Sequence, residues 1–379
     1  MPPRPDRPRR IRLGLIVNPV AGIGGRVGLK GSDGQEILGR AIALGAEPVA
    51  PVRARVTLDH LADLVDEVEL ATYPGPMGAD VARAAGFAPT IVGALVGQQT
   101  TADDTRRACS DLKAWGVDLV IFVGGDGTAR DVCGALGDTV PVLGVPAGVK
   151  IHSSVFALNA RRAAELVRAF IRGPRRTERR EVLDIDEDLF RVGIVSARLY
   201  GELLVPYDAS LVQRAKAASH ADTSVVRSVA FGVLGEMDRD PDAVYVMGPG
   251  STIKAVTNEL GLDGTLLGVD LVHRGELVGK DLGEAELLRL IDDHAVKIVV
   301  TVIGGQGYLF GRGNQQISPR VIFAAGRENI LVAATADKLH ELGGPLLVDT
   351  GSAACDRLLT GYVRVITGEY ERVMWRVAT

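Results

Sequence analysis

Along the first half of the chain the apolar and polar positions give strand and helix in turn. Arg12 to Val17 is a β-type run that opens into a glycine-rich loop from Asn18 to Gly31, and Gln35 to Ala43 has helical composition. Val52 to Val56 and Val68 to Tyr73 are extended candidates, with a short helix predicted between them over His60 to Glu67. Ala79 to Ala85 predicts a helix, Ala88 to Val92 a strand, Thr101 to Trp115 an amphipathic helix and Leu119 to Val123 a buried strand. Pro141 to Val145 is a further strand. Ala160 to Ile171 then places Ala163, Leu166, Val167 and Phe170 on one helical face. Such alternation favours an α/β fold with a parallel sheet covered on both sides.

The stretch RGPRRTERRE at 172 to 181 is the sharpest change in composition. It reads as a solvated interdomain connector, with phosphate capture by its arginines as the alternative. Beyond it, Glu181 to Asp186 and Leu189 to Ser196 predict paired strands. Helices follow at Val225 to Met237, Ile253 to Leu260 and Glu284 to His294, interleaved with strands at Val244 to Met247, Leu266 to Val272 and Lys297 to Ile303. The expected organisation is a disordered leader over 1–10, a nucleotide-binding α/β lobe over 11–175 and a mixed, β-rich lobe over 176–329. The alternating tail, 330–379, is expected to return to the first lobe.

Composition narrows the class. A chain of 379 residues suggests two domains, and 46% hydrophobic with 24% charged residues describes a globular protein. A formal net charge of −4 argues against nucleic acid as a partner. Charged residues or Gly/Pro turns interrupt every apolar run before the roughly 18 residues of a membrane span, so a soluble, cytoplasmic protein without a membrane partner is expected. Cys109, Cys133 and Cys355 are widely spaced and form no CxxC pair, which predicts buried thiols rather than a metal site.

Candidate chemistry gathers in loops. The strand Leu119 to Val123 delivers the chain to Gly124-Gly125, where missing side chains let backbone approach a ligand closely. Asp126-Gly127-Thr128 then leads into a helix over Ala129 to Leu136, whose first amides suit a phosphate. Asp126 is either an N-cap contributing about 1 kcal/mol or a carboxylate facing an acceptor hydroxyl as base, or a metal. Val244 to Met247, Gly248-Pro249-Gly250-Ser251-Thr252 and the helix after it repeat the strand, turn, helix plan, with Ser251 and Thr252 as ligand donors or caps. Lys150 and His152 follow another strand end and are phosphate contacts or ordinary surface and core residues. Asp270 lies in an apolar run, where a carboxylate must be paired or at a site. Arg312, Asn314, Gln315 and Gln316 offer a guanidinium and amides suited to a base edge, sugar or phosphate, or else form a polar hairpin loop. No GxxxxGK[ST] is present and no GxGxxG follows a strand, so the chain is neither a P-loop NTPase nor a plain dinucleotide-binding dehydrogenase.

VGGDGT after a buried strand resembles the signature of the superfamily containing NAD kinases, diacylglycerol and sphingoid kinases and, more distantly, phosphofructokinases. Asn18-Pro19 with Gly22, Gly24 and Gly25 resembles its nucleotide loop, and Gly248 to Thr252 resembles its Pro-x-Gly-Ser-Thr turn. The chain most resembles the ATP-NAD kinase and AcoX-like branch, through Gly124 to Thr128, the Pro146-Ala147-Gly148-Val149-Lys150-Ile151-His152-Ser153 element and the Gly304 to Gln316 stretch with Gly305, Arg312, Asn314 and Gln315. The resemblance implies a Rossmann-like three-layer α/β lobe, a β-rich C-terminal lobe and an active site between them. It implies phosphoryl transfer from ATP, or polyphosphate, with Mg²⁺ to the 2′-hydroxyl of NAD, Asp126 taking the proton. Asn18, Gly22, Gly24, Gly124, Gly125, Gly127, Thr128, Gly148, Lys150, His152, Gly250, Ser251, Thr252, Asp270, Gly305, Arg312, Asn314 and Gln315 would bind nucleotide or substrate.

The family's Asn-Glu or Asn-Asp pair ahead of the Pro-x-Gly-Ser-Thr turn is missing; Asn258-Glu259 lies after it. The rival readings are therefore a kinase of another acceptor, a small metabolite or a lipid such as a sphingoid base or diacylglycerol, and a catalytically silent nucleotide-binding regulator. NAD kinases commonly oligomerise, so a homo-oligomer is the expected assembly.

Overall fold

A computed structural model of the chain describes residues 10–29, 35–97, 99–148, 151–185, 197–207, 223–303 and 307–379. The leader over 1–9 and the expected strand Leu189 to Ser196 lie outside the described residues. In chain order the elements begin with β1 (Ile11–Val17), α1 (Gln35–Ala43), α2 (Ala50–Asp59), β2 (Val68–Thr72), α3 (Ala79–Ala84), β3 (Thr90–Ile91), α4 (Ala102–Trp115), β4 (Leu119–Gly124), α5 (Asp126–Leu136), β5 (Val142–Pro146) and α6 (Ala160–Arg172). There follow β6 (Thr177–Ile185), β7 (Ala197–Pro206), α7 (Thr223–Met237), β8 (Val244–Met247), α8 (Ser251–Glu259), β9 (Asp270–His273), β10 (Glu276–Gly279), α9 (Glu284–Ile291) and β11 (Val296–Thr301). The last are β12 (Tyr308–Phe310), α10 (Pro319–Ala325), β13 (Ile330–Ala333), α11 (Ala336–Leu342), β14 (Leu346–Val348), α12 (Ala353–Leu359), β15 (Gly361–Ile366) and β16 (Arg372–Ala378).

The chain divides into two compact units, the first comprising Met1–Gly22, Pro48–Asp186 and Ser196–Gln213. Its sheet has the order β3-β2-β1-β4-β5, every neighbouring pair parallel. The chain builds outward from β1 to β2 and β3, then crosses back to add β4 and β5 on the other side. The order therefore reverses between β1 and β4. All six residues of β4 are buried, because helices pack on both sides.

Two expectations fail in this unit. Val52 to Val56 is helical, part of α2, because its buried positions Ala50, Ala54, Thr57 and Leu58 follow helical spacing and Val52 is 56% exposed. The β-branched valines suggested a strand, but packing decided otherwise. Strands β6 and β7, assigned to the C-terminal lobe, instead pair antiparallel, and their Val182, Leu203 and Val205 join the core of the first unit. The arginine run is exposed over 172–176, as a solvated connector would be, but it then enters β6 and makes surface ion pairs. Arg172 pairs with Glu67 at 3.2 Å, Arg179 with Asp138 at 2.7 Å and Arg180 with Glu178.

The second unit comprises Ile23–Glu47, Glu187–Val195 and Arg214–Thr379. Its nine-stranded mixed sheet has the order β10-β9-β8-β11-β13-β15-β16-β14-β12. Alternation along β8 sends Val244 and Val246 into one core and Tyr245 and Met247 into another, so both faces are covered. The tail does not return to the first lobe: β13 to β16 fill the middle and far side of this sheet. Residues 23–47, expected in the first lobe, also belong here, with the Glu284 amide donating to the Arg26 carbonyl at 3.0 Å.

All three cysteines are buried, and burial pushes Cys109 up to about 12 and Cys355 up to about 11, which leaves them as unreactive thiols. No helix among the described residues is long and apolar enough to cross a membrane.

Candidate functional site

In an open parallel sheet, ligands bind beyond the carboxyl ends of the strands where the order reverses. In the first unit that place lies beyond the ends of β1 and β4, where Asn18 and the Gly124 to Thr128 turn stand. Asn18 is fixed there by its amide donating to the Val123 carbonyl at 3.0 Å. Its side-chain Nδ2 donates to Thr128 Oγ1 at 2.9 Å, which ties the loop after β1 to the first turn of α5.

Glycines allow the loops to close on one another. Gly22 has φ +78°, and a β-carbon there would lie 1.8 Å from the Ala147 carbonyl oxygen. One on Gly124 would lie 2.4 Å from Thr128 Oγ1, and one on Gly125 3.2 Å from Gly148 Cα. The amides of Ala147 and Gly148 both donate to the Gly124 carbonyl, at 2.9 and 3.2 Å. The glycines thus bring the ends of β1, β4 and β5 together.

Asp126 is not the N-cap of α5. Gly125 occupies that position, and Asp126 is the first helical residue. Its carboxylate turns to the segment after β5: the His152 amide donates to Oδ2 at 2.8 Å and the Ser153 amide to Oδ1 at 3.0 Å. The His152 ring Nδ1 lies 3.3 Å from Oδ2 and donates to it in the tautomer that carries the proton there. A carboxylate offers about four acceptor positions. Among the described residues three are taken, and the remaining one is on Oδ1, with the side chain 13% exposed. Since the carboxylate faces away from its own helix, the amides of residues 126–128 stand ahead of the ladder, which begins with Ala129 donating to Gly125 at 3.0 Å. Gly127 sits in this first turn. Asp131, one turn on, is consumed by an ion pair with Arg106 at 2.8 Å.

Motif reading gives Ser153 no role beyond closing the Pro146 to Ser153 element and does not reach Ser154, yet both serines secure this arrangement. Ser153 Oγ accepts from the Leu183 amide at 3.0 Å, and Ser154 Oγ from the Glu181 amide at 3.0 Å. The hydroxyl doublet after His152 was the available signal, since adjacent serines commonly fasten neighbouring backbone.

The loops of the second unit are used differently. Gly250 is the N-cap of α8, with φ +127°, and a β-carbon on it would lie 2.5 Å from Thr301 Cγ2. Ser251 is exposed and Thr252 buried, and neither hydroxyl caps the helix. The nearby Thr301 Oγ1 is buried without a hydrogen-bond partner. Asp270 fastens its own loop: Thr265 donates to it from amide and hydroxyl, and the Asp281 amide donates at 2.9 Å. Asn314, fully buried, accepts from the Gly311 amide at 3.1 Å and donates to the Leu309 carbonyl at 2.7 Å, so it shapes its own loop. Arg312 is buried with its guanidinium 4.7 Å from the Tyr308 ring centre. Gln315 packs against Gly25, where a β-carbon would lie 3.3 Å from its own. Gly24 is buried beside it and accepts from the Leu29 amide at 2.9 Å. The glycine loop after β1 and the GRGNQQ stretch therefore meet inside this unit.

Two family models match the chain, the ATP-NAD kinase N-terminal domain over residues 13–174 and the ATP-NAD kinase C-terminal domain over residues 240–377. The chain belongs to the ATP-NAD kinase family. Curated proteins and solved structures gave no match.

The parallel first sheet and the mixed second sheet agree with the two-domain α/β fold of that family. Lys150 and Gly305 lie outside the described residues. Among the described residues no three His, Cys, Asp or Glu side chains gather as a metal cage. Mg²⁺ carried in on nucleotide phosphates would need few protein ligands, because the ion keeps several waters.

Proposed function

We propose that the protein is a phosphotransferase that moves the γ-phosphoryl group of ATP to the 2′-hydroxyl of NAD, giving NADP. One observation carries the reading: at the reversal point of the parallel sheet a carboxylate is held off its own helix, with one acceptor position on Oδ1 open and the first-turn amides of α5 unused by it. Phosphoryl transfer depends on positioning and charge neutralisation more than on covalent chemistry by the protein. The amides at the start of α5 supply donors for phosphate oxygens. Asp126 Oδ1 takes the hydrogen bond of the acceptor hydroxyl and receives its proton as the phosphorus–oxygen bond forms. Asn18 and Thr128 keep the loop and the helix start in register for this. Mg²⁺, bound through the nucleotide phosphates, would offset their charge.

The family's substrate supports NAD over a lipid acceptor, and a cytoplasmic homo-oligomer is part of the same proposal. Purified protein with Mg-ATP and NAD should form NADP, read by an NADP-specific dehydrogenase, with ADP in equal amount. NADH, sphingoid base, diacylglycerol and a polyphosphate donor run in parallel. ADP formed only with a lipid would overturn the acceptor, and nucleotide binding without ADP from any acceptor would make the protein a regulator.

A further inference from the structure

The Asp126 carboxylate is held by a segment that is itself fastened to β6. We propose that His152, Ser153 and Ser154 are positioning residues that fix the Asp126 carboxylate in one orientation, with β6 as their anchor. The proposal rests on the phosphoryl-transfer reading for its effect on turnover, and on geometry alone for the hold itself.

Three layers of contact make the device, all within the first unit. Nearest the carboxylate, two consecutive amides take one oxygen each, His152 to Oδ2 at 2.8 Å and Ser153 to Oδ1 at 3.0 Å. Two donors on different oxygens fix the plane of the group, where a single bond would leave it free to turn. The imidazole of His152 adds a contact at 3.3 Å on Oδ2 only. Its ring is 6% exposed, so its orientation is set by packing. The asymmetry gives the two oxygens different work: Oδ2 is saturated and Oδ1 is left to meet a ligand.

The outer layer is reciprocal. Ser153 Oγ accepts from the Leu183 amide at 3.0 Å and donates to the Leu183 carbonyl at 3.5 Å. The Ser154 amide donates to the Glu181 carbonyl at 3.0 Å, and the Glu181 amide donates back to Ser154 Oγ at 3.0 Å. Two serines thereby extend the pairing of β6 onto a segment that is not a strand. The third layer is the packing of β6 on α5, the helix that carries Asp126: Val182 is fully buried in the core that contains Val132. The carboxylate and its holder are thus anchored to the same body, which limits relative drift. A displacement of about 1 Å at a reacting group costs about 10²-fold in rate, so fixing this orientation matters more than adding a contact.

The test uses the full-length chain and two readouts. Hydrogen exchange by mass spectrometry on the peptide spanning His152 to Ser154 should show slow amides in the native protein and exchange at least tenfold faster in Asp126→Ala, with β1 peptides unchanged. This measurement needs no turnover, so it judges the hold even if NAD proves not to be the acceptor. Unchanged exchange would overturn the proposal. With the acceptor that gives ADP, His152→Ala should lower kcat by about 10²-fold and leave KM for ATP and acceptor within twofold. His152→Asn, which returns an N–H donor near Nδ1, should recover most of that loss, and Ser153→Ala should lower kcat less than His152→Ala does. A raised KM at unchanged kcat, or an Asn variant no better than Ala, would make His152 a substrate contact or a packing residue and overturn its positioning role.

Discussion

The two units treat their polar residues in opposite ways. In the first, Asp126 receives three donors and keeps a lone pair and some exposure. In the second, Asp270 also receives three donors, from Thr265 and Asp281, but is 2% exposed, and Asn314, 0% exposed, accepts from the Gly311 amide and donates to the Leu309 carbonyl. All three are carboxylates or amides with a glycine within two residues, so residue type does not separate them. Exposure does: the Asp126 side chain is 13% exposed at the reversal point of its sheet, while the other two are enclosed by their own loops.

This difference can be broken most directly at Asp126. Asp126→Asn keeps the shape and loses the proton acceptor, so turnover should fall by about 10²–10⁴-fold while the melting temperature stays within a few degrees. Steady-state ADP release together with thermal unfolding checks both halves. A variant that loses activity only in proportion to the fraction unfolded would place Asp126 with the structural group.

The converse holds for the second unit. Asn314→Ala strands the Gly311 amide and the Leu309 carbonyl in a dry loop and should cost about 2 kcal/mol. Asp270→Ala releases three donors from Thr265 and Asp281 and should cost about 2–3 kcal/mol. In both, specific activity per folded molecule should remain near that of the native chain, measured by denaturant unfolding alongside turnover. A folded Asn314→Ala with a hundredfold loss of kcat would restore it as a ligand contact.

Much of the fold was legible because strong periodicity and turn chemistry agreed. β4 and α4 stand where the apolar runs and the Thr101 start signal put them. The valines of α2 misled because a β-branched pair looks the same in an exposed helix face and in a strand. The unit boundaries were illegible for a different reason: strands β6 and β7 and the tail strands join their sheets through long-range pairing that leaves no local mark. At the site, GGDGT identified Asp126, but the direction of its carboxylate depends on amides 26 and 27 residues away. Asp270 and Asn314 were singled out by chemistry that fits a ligand and a loop equally well.

A smaller effect sharpens the comparison inside the first unit, at another buried carboxylate. Asp104 accepts from the Thr101 amide at 2.8 Å and hydroxyl at 2.9 Å, and Thr101 Oγ1 accepts from the Asp104 amide, a reciprocal cap at the start of α4. Burial pushes its carboxyl upward, but the bonds from Thr101 and the charge of Arg107 outweigh this and hold it below the usual 3.8. A carboxyl depressed in the folded state adds stability that is complete above its unfolded value and is lost as pH falls through the folded one. Asp104→Asn should therefore cost about 1 kcal/mol near neutrality, and the gap to the native chain should narrow as pH drops below about 4. Urea unfolding between neutral pH and pH 3 measures it. A gap that stays constant across that range would mean the cap works through shape alone. Turnover at neutral pH should be unchanged, because the Asp104 carboxylate is buried and its donors come from Thr101 and Arg107 at its own helix.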